Sequence, residues 1–253
     1  RVYNGKIFCF EKHLNRLMES AKSLDFINTP TLMEIKEAVF ATLKANRMRD
    51  ETHIRLTLTR GEKITSGMNP ELNQSGCTLI VLAEWKSAIY SGIDLSLVTS
   101  NIRRMSPLFL DSKIHHANLL NNILAKIEAN NAGVDDAVML DLDGFVAETN
   151  ATNIFMIKEG VVYTPYPKAC LPGVTRGVVI QICKNNNIEI IEKNISITEL
   201  YNADEVFTTG TMGELARVTQ IDSRKIKNNG MLLNQVQSFF RKLTEIEGDI
   251  LPF

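Results

Sequence analysis

DSKIHHANLLNNILAKIEANNAGVDDAVMLDLDGFVAETNATNIF, residues 111–155, changes its hydrophobic period halfway, and that change decides the fold class. Over 116–131 the apolar residues Leu119, Leu120, Ile123, Leu124 and Ile127 recur on one helical face, with Gly133 as the C-terminal stop. From 137 onward the period shortens. Segments 137–141, 145–147 and 153–157 read as strands, and Asp143-Gly144 and Glu159-Gly160 are turn pairs of the kind hairpins use. A strong helix running straight into a meander predicts a mixed α/β domain.

Upstream, Asn4-Gly5 between Val2-Tyr3 and Lys6-Ile7 spells a tight hairpin. Residues 11–24 set Leu14, Leu17, Met18, Ala21 and Leu24 opposite Lys12, Asn15, Glu19 and Lys22, an amphipathic helix. A second helix follows over 31–46, then strands over 53–60, 77–85 and 93–99. The polar, doubly basic 101–106, closed by Pro107, marks the expected boundary between a small N-terminal α/β domain, 1–103, and a larger C-terminal mixed α/β domain, 104–253. Beyond the meander the chain reads helix 175–184, strand 188–192, short helix 198–201, strand 205–209 and helix 233–246. It opens at Arg1, in a hairpin and without methionine, so a preceding piece is expected. A cleft between two such domains is the expected place for a small-molecule site.

Composition narrows the partners. Lys and Arg number 28 against 29 Asp and Glu, so no net field favours a nucleic acid or a membrane, and a small substrate is expected. The apolar run 78–83 is too short to span a bilayer, and no leader precedes it, which reads as a soluble, cytoplasmic protein. Cys9, Cys77, Cys170 and Cys183 lack CxxC spacing and a companion histidine, so buried free thiols and no metal are expected. His115 and His116 are adjacent and diverge on either regular element, which disfavours a two-histidine metal site.

Four features could carry chemistry. Lys113 sits just before the strong helix, where a lysine is a solvated surface charge unless its amine is held for attack on a carbonyl. Glu148 ends an apolar strand among small hydrogen-bonding residues; it reads as a turn acid or as a buried anion facing a cation. In Leu171-Pro172-Gly173-Val174-Thr175-Arg176 a glycine turn opens into a helix, either an ordinary capped start or a phosphate cup of free N–H groups. Thr208-Thr209-Gly210-Thr211-Met212-Gly213-Glu214 ends a strand in residues too small for core packing, a plain loop or a ligand-facing turn. Neither GxxxxGK[ST] nor GxGxxG occurs, which weakens nucleotide-binding folds.

Taken in this order, the features resemble the class IV aminotransferases, the fold-type IV enzymes of pyridoxal 5'-phosphate, over essentially the whole chain. FEKHLNRLMESA (10–21) is similar to the family's early helix, which implies that Arg16 binds the cofactor phosphate. The resemblance further implies that Lys113 is the Schiff-base lysine and that Glu148 pairs with the pyridine nitrogen. LPGVTR implies that Leu171 touches the ring and that Val174 and Thr175 bind phosphate. TTGTMGE implies Gly210 and Thr211 at the cofactor, with Met212 and Gly213 near the substrate carboxylate. Arg55 and Arg60 lie on a strand that supplies substrate contacts in the family, and their spacing lets at most one face the site. The family's strand and loop before this start are missing from the chain.

The implied reaction is transfer of an amino group between an amino acid, branched-chain or otherwise apolar and L, and a 2-oxo acid, in a homodimer. One departure bears on substrate. Branched-chain enzymes of the family carry Asn-Tyr after the lysine, whereas Asn118-Leu119 stands here, closer to D-amino-acid aminotransferases and 4-amino-4-deoxychorismate lyases. A catalytically silent small-molecule-binding relative is the reading from another class.

Overall fold

The computed structural model describes residues 1–87, 93–227 and 230–253. They divide into two compact units, 1–87 with 244–253 and 88–243. The division therefore falls at Ser87/Ala88 and not at 103/104. The doubly basic segment looks like a linker by composition, yet its backbone is tied into the second unit: the N–H groups of Ser100 and Arg104 donate to the carbonyls of Val138 and Leu140, both at 2.8 Å.

In the first unit, β1 (Val2–Tyr3) and β2 (Lys6–Ile7) form the expected hairpin, with Asn4 and Gly5 at φ 47° and 78° as a primed turn requires. Helix α1 (Phe10–Ser23) follows, then α2 (Leu32–Ala45), which is started by a reciprocal capping box between Thr31 and Glu34. Strands β3 (Thr52–Thr59) and β4 (Thr78–Trp85) pair antiparallel along their whole length. Period-2 alternation turns Ile54, Leu56, Leu79 and Val81 onto Phe10, Leu14, Ile35, Val39 and Leu43 of the two helices.

The second unit is built on one mixed sheet. Its elements are β5 (Leu95–Thr99), α3 (Leu120–Asn131), β6 (Asp136–Leu140), β7 (Val146–Thr149), β8 (Asn153–Lys158), β9 (Val161–Pro165), α4 (Val174–Asn185) and β10 (Ile190–Lys193). After these come α5 (Ile197–Tyr201), β11 (Glu205–Gly210), β12 (Glu214–Ile221), β13 (Arg224–Lys225) and α6 (Met231–Ile246), which belongs to this unit through Leu243. The order is β10-β9-β8-β11-β12-β5-β6-β7, with β13 beside β12. Strand β7, at one end of this path, also lies against β8 and β9, so the sheet curls round. Finally β14 (Asp249–Ile250) pairs with β2 in the first unit, completing the order β14-β2-β1-β3-β4.

Pairing directions place the site. Strands β7, β9 and β11 all run the same way, so their carboxyl ends reach one edge of the sheet, where β8 begins. Two parallel pairs, β5 with β6 and β9 with β10, are each joined through a helix, α3 and α4. One core gathers Leu97, Val138, Ile154, Met156, Val206 and Val218 around Leu200 of α5. On the alternate positions Phe155 and Phe207, cross-strand partners, stack with centroids 4.9 Å apart.

Three sequence expectations change. The apolar face of the strong helix is not its packed face: in α3 Ala125 and Ala129 are buried against Ala137 and Met139, while Leu120 (63%) and Ile123 (54%) stand exposed with Leu124 and Ile127. Small side chains let the helix approach the sheet closely, and the large ones point away. Strand β12, in the middle of the sheet, was not expected, because its alternation follows a Gly-Thr-rich turn that reads as loop. Of the four cysteines only Cys170 and Cys183 are buried, whereas Cys9 and Cys77 are partly exposed.

Truncating the stacked pair tests the core. Phe207→Ala should cost about 3–5 kcal/mol, read as a lowered urea midpoint, and a loss below about 1 kcal/mol would mean that the stack does not anchor β8 to β11.

Candidate active site

Glu148 lies inside β7, opposite Met139, and is 6% exposed. An ionised carboxylate so placed needs partners. Two other buried carboxylates are well supplied: Glu205 accepts from the N–H groups of Leu232 and Leu233 at the start of α6, and Asp136 has the Asn150 amide at 3.1 Å and the Lys126 ammonium at 3.4 Å. Glu148 is held differently. Its Oε1 lies 2.8 Å from Arg104 Nε, an ion pair by distance although the N–H is not aligned as a hydrogen bond. Its Oε2 has a long contact, 3.3 Å, from the Asn153 amide. Burial pushes the carboxyl up to about 7, against the pull of the Arg104 charge and of the Leu171 N–H. The neighbouring Cys170 thiol is raised to about 12 by burial and by the charge of Glu148, so it stays protonated.

Asn153 opens β8 and joins this carboxylate to the next element, donating to the Leu171 carbonyl at 2.8 Å. Its Oδ1 would lie 2.1 Å from a Cβ on Gly173, so only glycine fits there. Gly173 is the N-cap of α4 and gives no side-chain cap, which leaves the N–H groups of the first turn, at Val174 and buried Thr175, without an internal partner. At the same edge β11 ends in Thr208 and Thr209, both buried, and the Thr209 hydroxyl has no hydrogen-bond partner among the described residues. Gly210 packs against Thr152, where a Cβ would come within 3.2 Å of Cγ2. Thr211, Met212 and Gly213 form the turn into β12, with Met212 exposed.

Lys113 lies on the connection between β5 and α3, its side chain 53% exposed and its Nζ 4.0 Å from Asp111 Oδ2. Asp111 also accepts from the Lys113 N–H at 3.0 Å, which shapes the turn. Preceding it, buried Ser112 takes Arg104 Nη2 at 3.0 Å. Arg104 thus connects the Lys113 turn with Glu148. It was missed in the sequence, where it reads only as part of a basic pair, because nothing local signals a contact that far along the chain.

The remaining candidates belong to the first unit. Arg16, on α1, has a buried Nε without a partner among the described residues, and burial lowers its pKa. Arg55 is exposed on β3, opposite Leu82. Arg60, just past β3, donates to the carbonyls of Leu24 and Asp25 and lies over the Phe26 ring, so it caps the end of α1. Among the described residues no three His, Cys, Asp or Glu are grouped to hold a metal, and no helix is long and apolar enough to cross a membrane.

These features stand in a fold of mixed strands and helices that other chains share. The profile of amino-transferase class IV matches residues 1–221, and the chain belongs to that family. Branched-chain-amino-acid aminotransferase-like protein 2 of Arabidopsis thaliana is 57% identical over 255 residues, all of this chain and 46% of that protein, so the chain spans about half the length of this relative. The putative branched-chain-amino-acid aminotransferase of Methanocaldococcus jannaschii is 38% identical over 251 residues, 99% of this chain and 84% of the other. The branched-chain aminotransferase of Thermoproteus uzoniensis, solved with norvaline, superposes with a TM-score of 0.88 at 28% identity, over 97% of this chain and 84% of that one. The family and the mixed α/β fold class read from the order of motifs are borne out.

The raised Glu148 gives a pH signature. The folded carboxyl titrates near 7 against an ordinary 4.5, so the folded state holds the proton more tightly. Its contribution to stability is complete below about 4.5 and is lost as pH rises towards 7. Subtracting the unfolding free energy of Glu148→Gln from that of the wild type, pH by pH, should give a difference that falls across this window. A flat difference would rule out the raised carboxyl.

Proposed function

We propose that this chain carries a pyridoxal 5'-phosphate-dependent transamination centre, exchanging an amino group between an apolar L-amino acid, branched-chain by preference, and a 2-oxo acid. The observation that carries the reading is the buried Glu148, a carboxylate with one oxygen on Arg104 and the other within a long 3.3 Å contact of Asn153, which suits a partner for a protonated ring nitrogen. The anionic end of the cofactor is matched as well. α4 begins uncapped behind a position that only glycine can fill. Thr175 and Thr211 add hydroxyls, and the orphan Thr209 hydroxyl gives the edge a further free donor.

When bound, pyridoxal phosphate supplies an aldehyde that takes up the amino group and a ring that draws electrons from the substrate Cα. Glu148 keeps the proton on the ring nitrogen, and Leu171 gives the ring an apolar contact. Lys113, whose ammonium has only the weak Asp111 contact, would be the lysine that holds the cofactor, and its amine would take up and return the substrate Cα proton as general base and acid. Gly210 lets backbone come close to the cofactor. Met212 and Gly213 receive the substrate carboxylate. Arg60 is withdrawn from that role because its guanidinium is committed to the end of α1.

The exposed stripe Leu120, Ile123, Leu124 and Ile127 supports a homodimer, since an apolar face of that size is covered in most soluble proteins. Ile123→Glu should then reduce the sedimenting mass to that of one chain, and an unchanged mass for wild type and variant would remove the stripe from the interface.

Chemistry is tested by adding L-leucine, D-alanine and 4-amino-4-deoxychorismate separately to the protein loaded with pyridoxal phosphate. Conversion of the cofactor to its amine by L-leucine alone is expected. Response to D-alanine alone marks a D-amino-acid aminotransferase, and turnover of the aminodeoxychorismate without a 2-oxo acid marks a lyase. Lys113→Ala should lose the borohydride-reducible link to the cofactor and about 10²–10⁴-fold in rate. A link that persists in the variant assigns the role to another lysine.

A further inference from the structure

The proposed reaction leaves one buried cation unexplained. Arg104 is 8% exposed, it is not part of the proposed cofactor or substrate contacts, and each arm of its guanidinium is engaged. Nε faces Glu148 Oε1 at 2.8 Å, Nη1 donates to Asn121 Oδ1 at 3.0 Å and Asn122 Oδ1 at 3.1 Å, and Nη2 donates to Ser112 Oγ at 3.0 Å. The acceptors are themselves fixed: Asn121 donates to the Arg103 carbonyl and Asn122 to the Asn150 carbonyl, both at 2.8 Å. Three separated pieces of chain, the Lys113 turn, the start of α3 and strand β7, therefore meet on one planar ion. A lysine could supply the charge but not the fork.

We propose that Arg104 is the positioning residue of this centre, holding Glu148 as an anion at its place in β7 and fixing the Lys113 turn through Ser112. The inference rests on the transamination reading only for its purpose, since the ion pair belongs to the protein itself. No other cation faces Glu148 at ion-pair distance among the described residues; Asn153, the Leu171 N–H and the protonated Cys170 thiol are its remaining neighbours. Near Arg104 stands His116, whose buried Nδ1 has no partner among the described residues and whose pKa is lowered by burial and by the Arg104 charge, which disfavours its charged form. Removing the guanidinium leaves desolvation opposed only by the Leu171 N–H and the long Asn153 contact, so the carboxyl holds its proton more tightly and pairs less readily with a protonated ring.

The test uses the protein without cofactor first. Carboxyl difference infrared spectra, with Glu148→Gln to assign the band, follow the titration of Glu148 in wild type, Arg104→Gln and Arg104→Lys. The wild-type midpoint is expected near about 7, with an upward displacement of about one pH unit or more in Arg104→Gln and an intermediate one in Arg104→Lys. Loading with pyridoxal phosphate then gives an affinity weakened about tenfold or more in Arg104→Gln, partly restored by lysine. If Arg104→Gln does not fold, Arg104→Lys decides. Equal midpoints in wild type and in the folded variants overturn the proposal, even if thermal stability drops, because a merely structural arginine would leave Glu148 where it was. A wild type that never links to the cofactor refutes the functional reading, while the carboxyl titration still judges Arg104.

Discussion

A carboxylate taken out of water at Glu148 is costly, by several kcal/mol for an isolated ion, and the second unit is arranged so that it is not isolated. Arg104 meets it at 2.8 Å, and the arginine is in turn held by Ser112, Asn121 and Asn122. Because both charges are buried, neither can move to water without leaving the other stranded. That mutual dependence fixes the long connection after β5, the start of α3 and the middle of β7 relative to one another. The turn bearing Lys113 inherits its place from this arrangement, since Ser112 is its immediate neighbour.

Around this pair the topology does the rest. Three strands end at one edge and a fourth begins there, so short loops from distant parts of the sequence converge without a long detour. Asn153 is the joint: its amide reaches both Glu148 and the Leu171 carbonyl, and its bulk requires glycine at 173. The uncapped start of α4 follows directly, because glycine at the N-cap has no side chain to offer its N–H groups. An anion-attracting helix end and a buried anion are thus held a short way apart by one asparagine.

The period of the sequence determined most of the architecture. The 3.6-residue repeat from Leu14 to Ala21, the Asn4-Gly5 turn, the alternation along β3 and the glycine turns of the meander are local properties, set by backbone sterics and by which side chains can share a face. The order of motifs also sufficed for the family, because Lys113, Glu148, Gly173 and Thr211 recur along the chain in a fixed succession. What periodicity could not give was direction. In α3 the apolar stripe and the alanine stripe are equally periodic, and only the closeness of β6 decides that Ala125 and Ala129 pack while Ile123 faces out. Strand β12 was hidden for a similar reason: it returns along β11 across a turn that reads as loop, and its other neighbour, β5, lies far earlier in the chain and meets it only through pairing.

The site divides the same way. Residue type and motif named Lys113, Glu148 and the glycine turns, since those chemistries are written in the side chains themselves. Tertiary structure alone decided that Glu148 is buried inside a strand, that Arg104 is its counter-ion, and that Arg60 is spent on the end of α1 while Arg55 stays exposed on its strand. The physical reason is range. Hydrophobic period and turn propensity act over a few residues, whereas a buried charge must find its partner anywhere the fold brings one, here forty-odd residues away along the chain and 2.8 Å away in space.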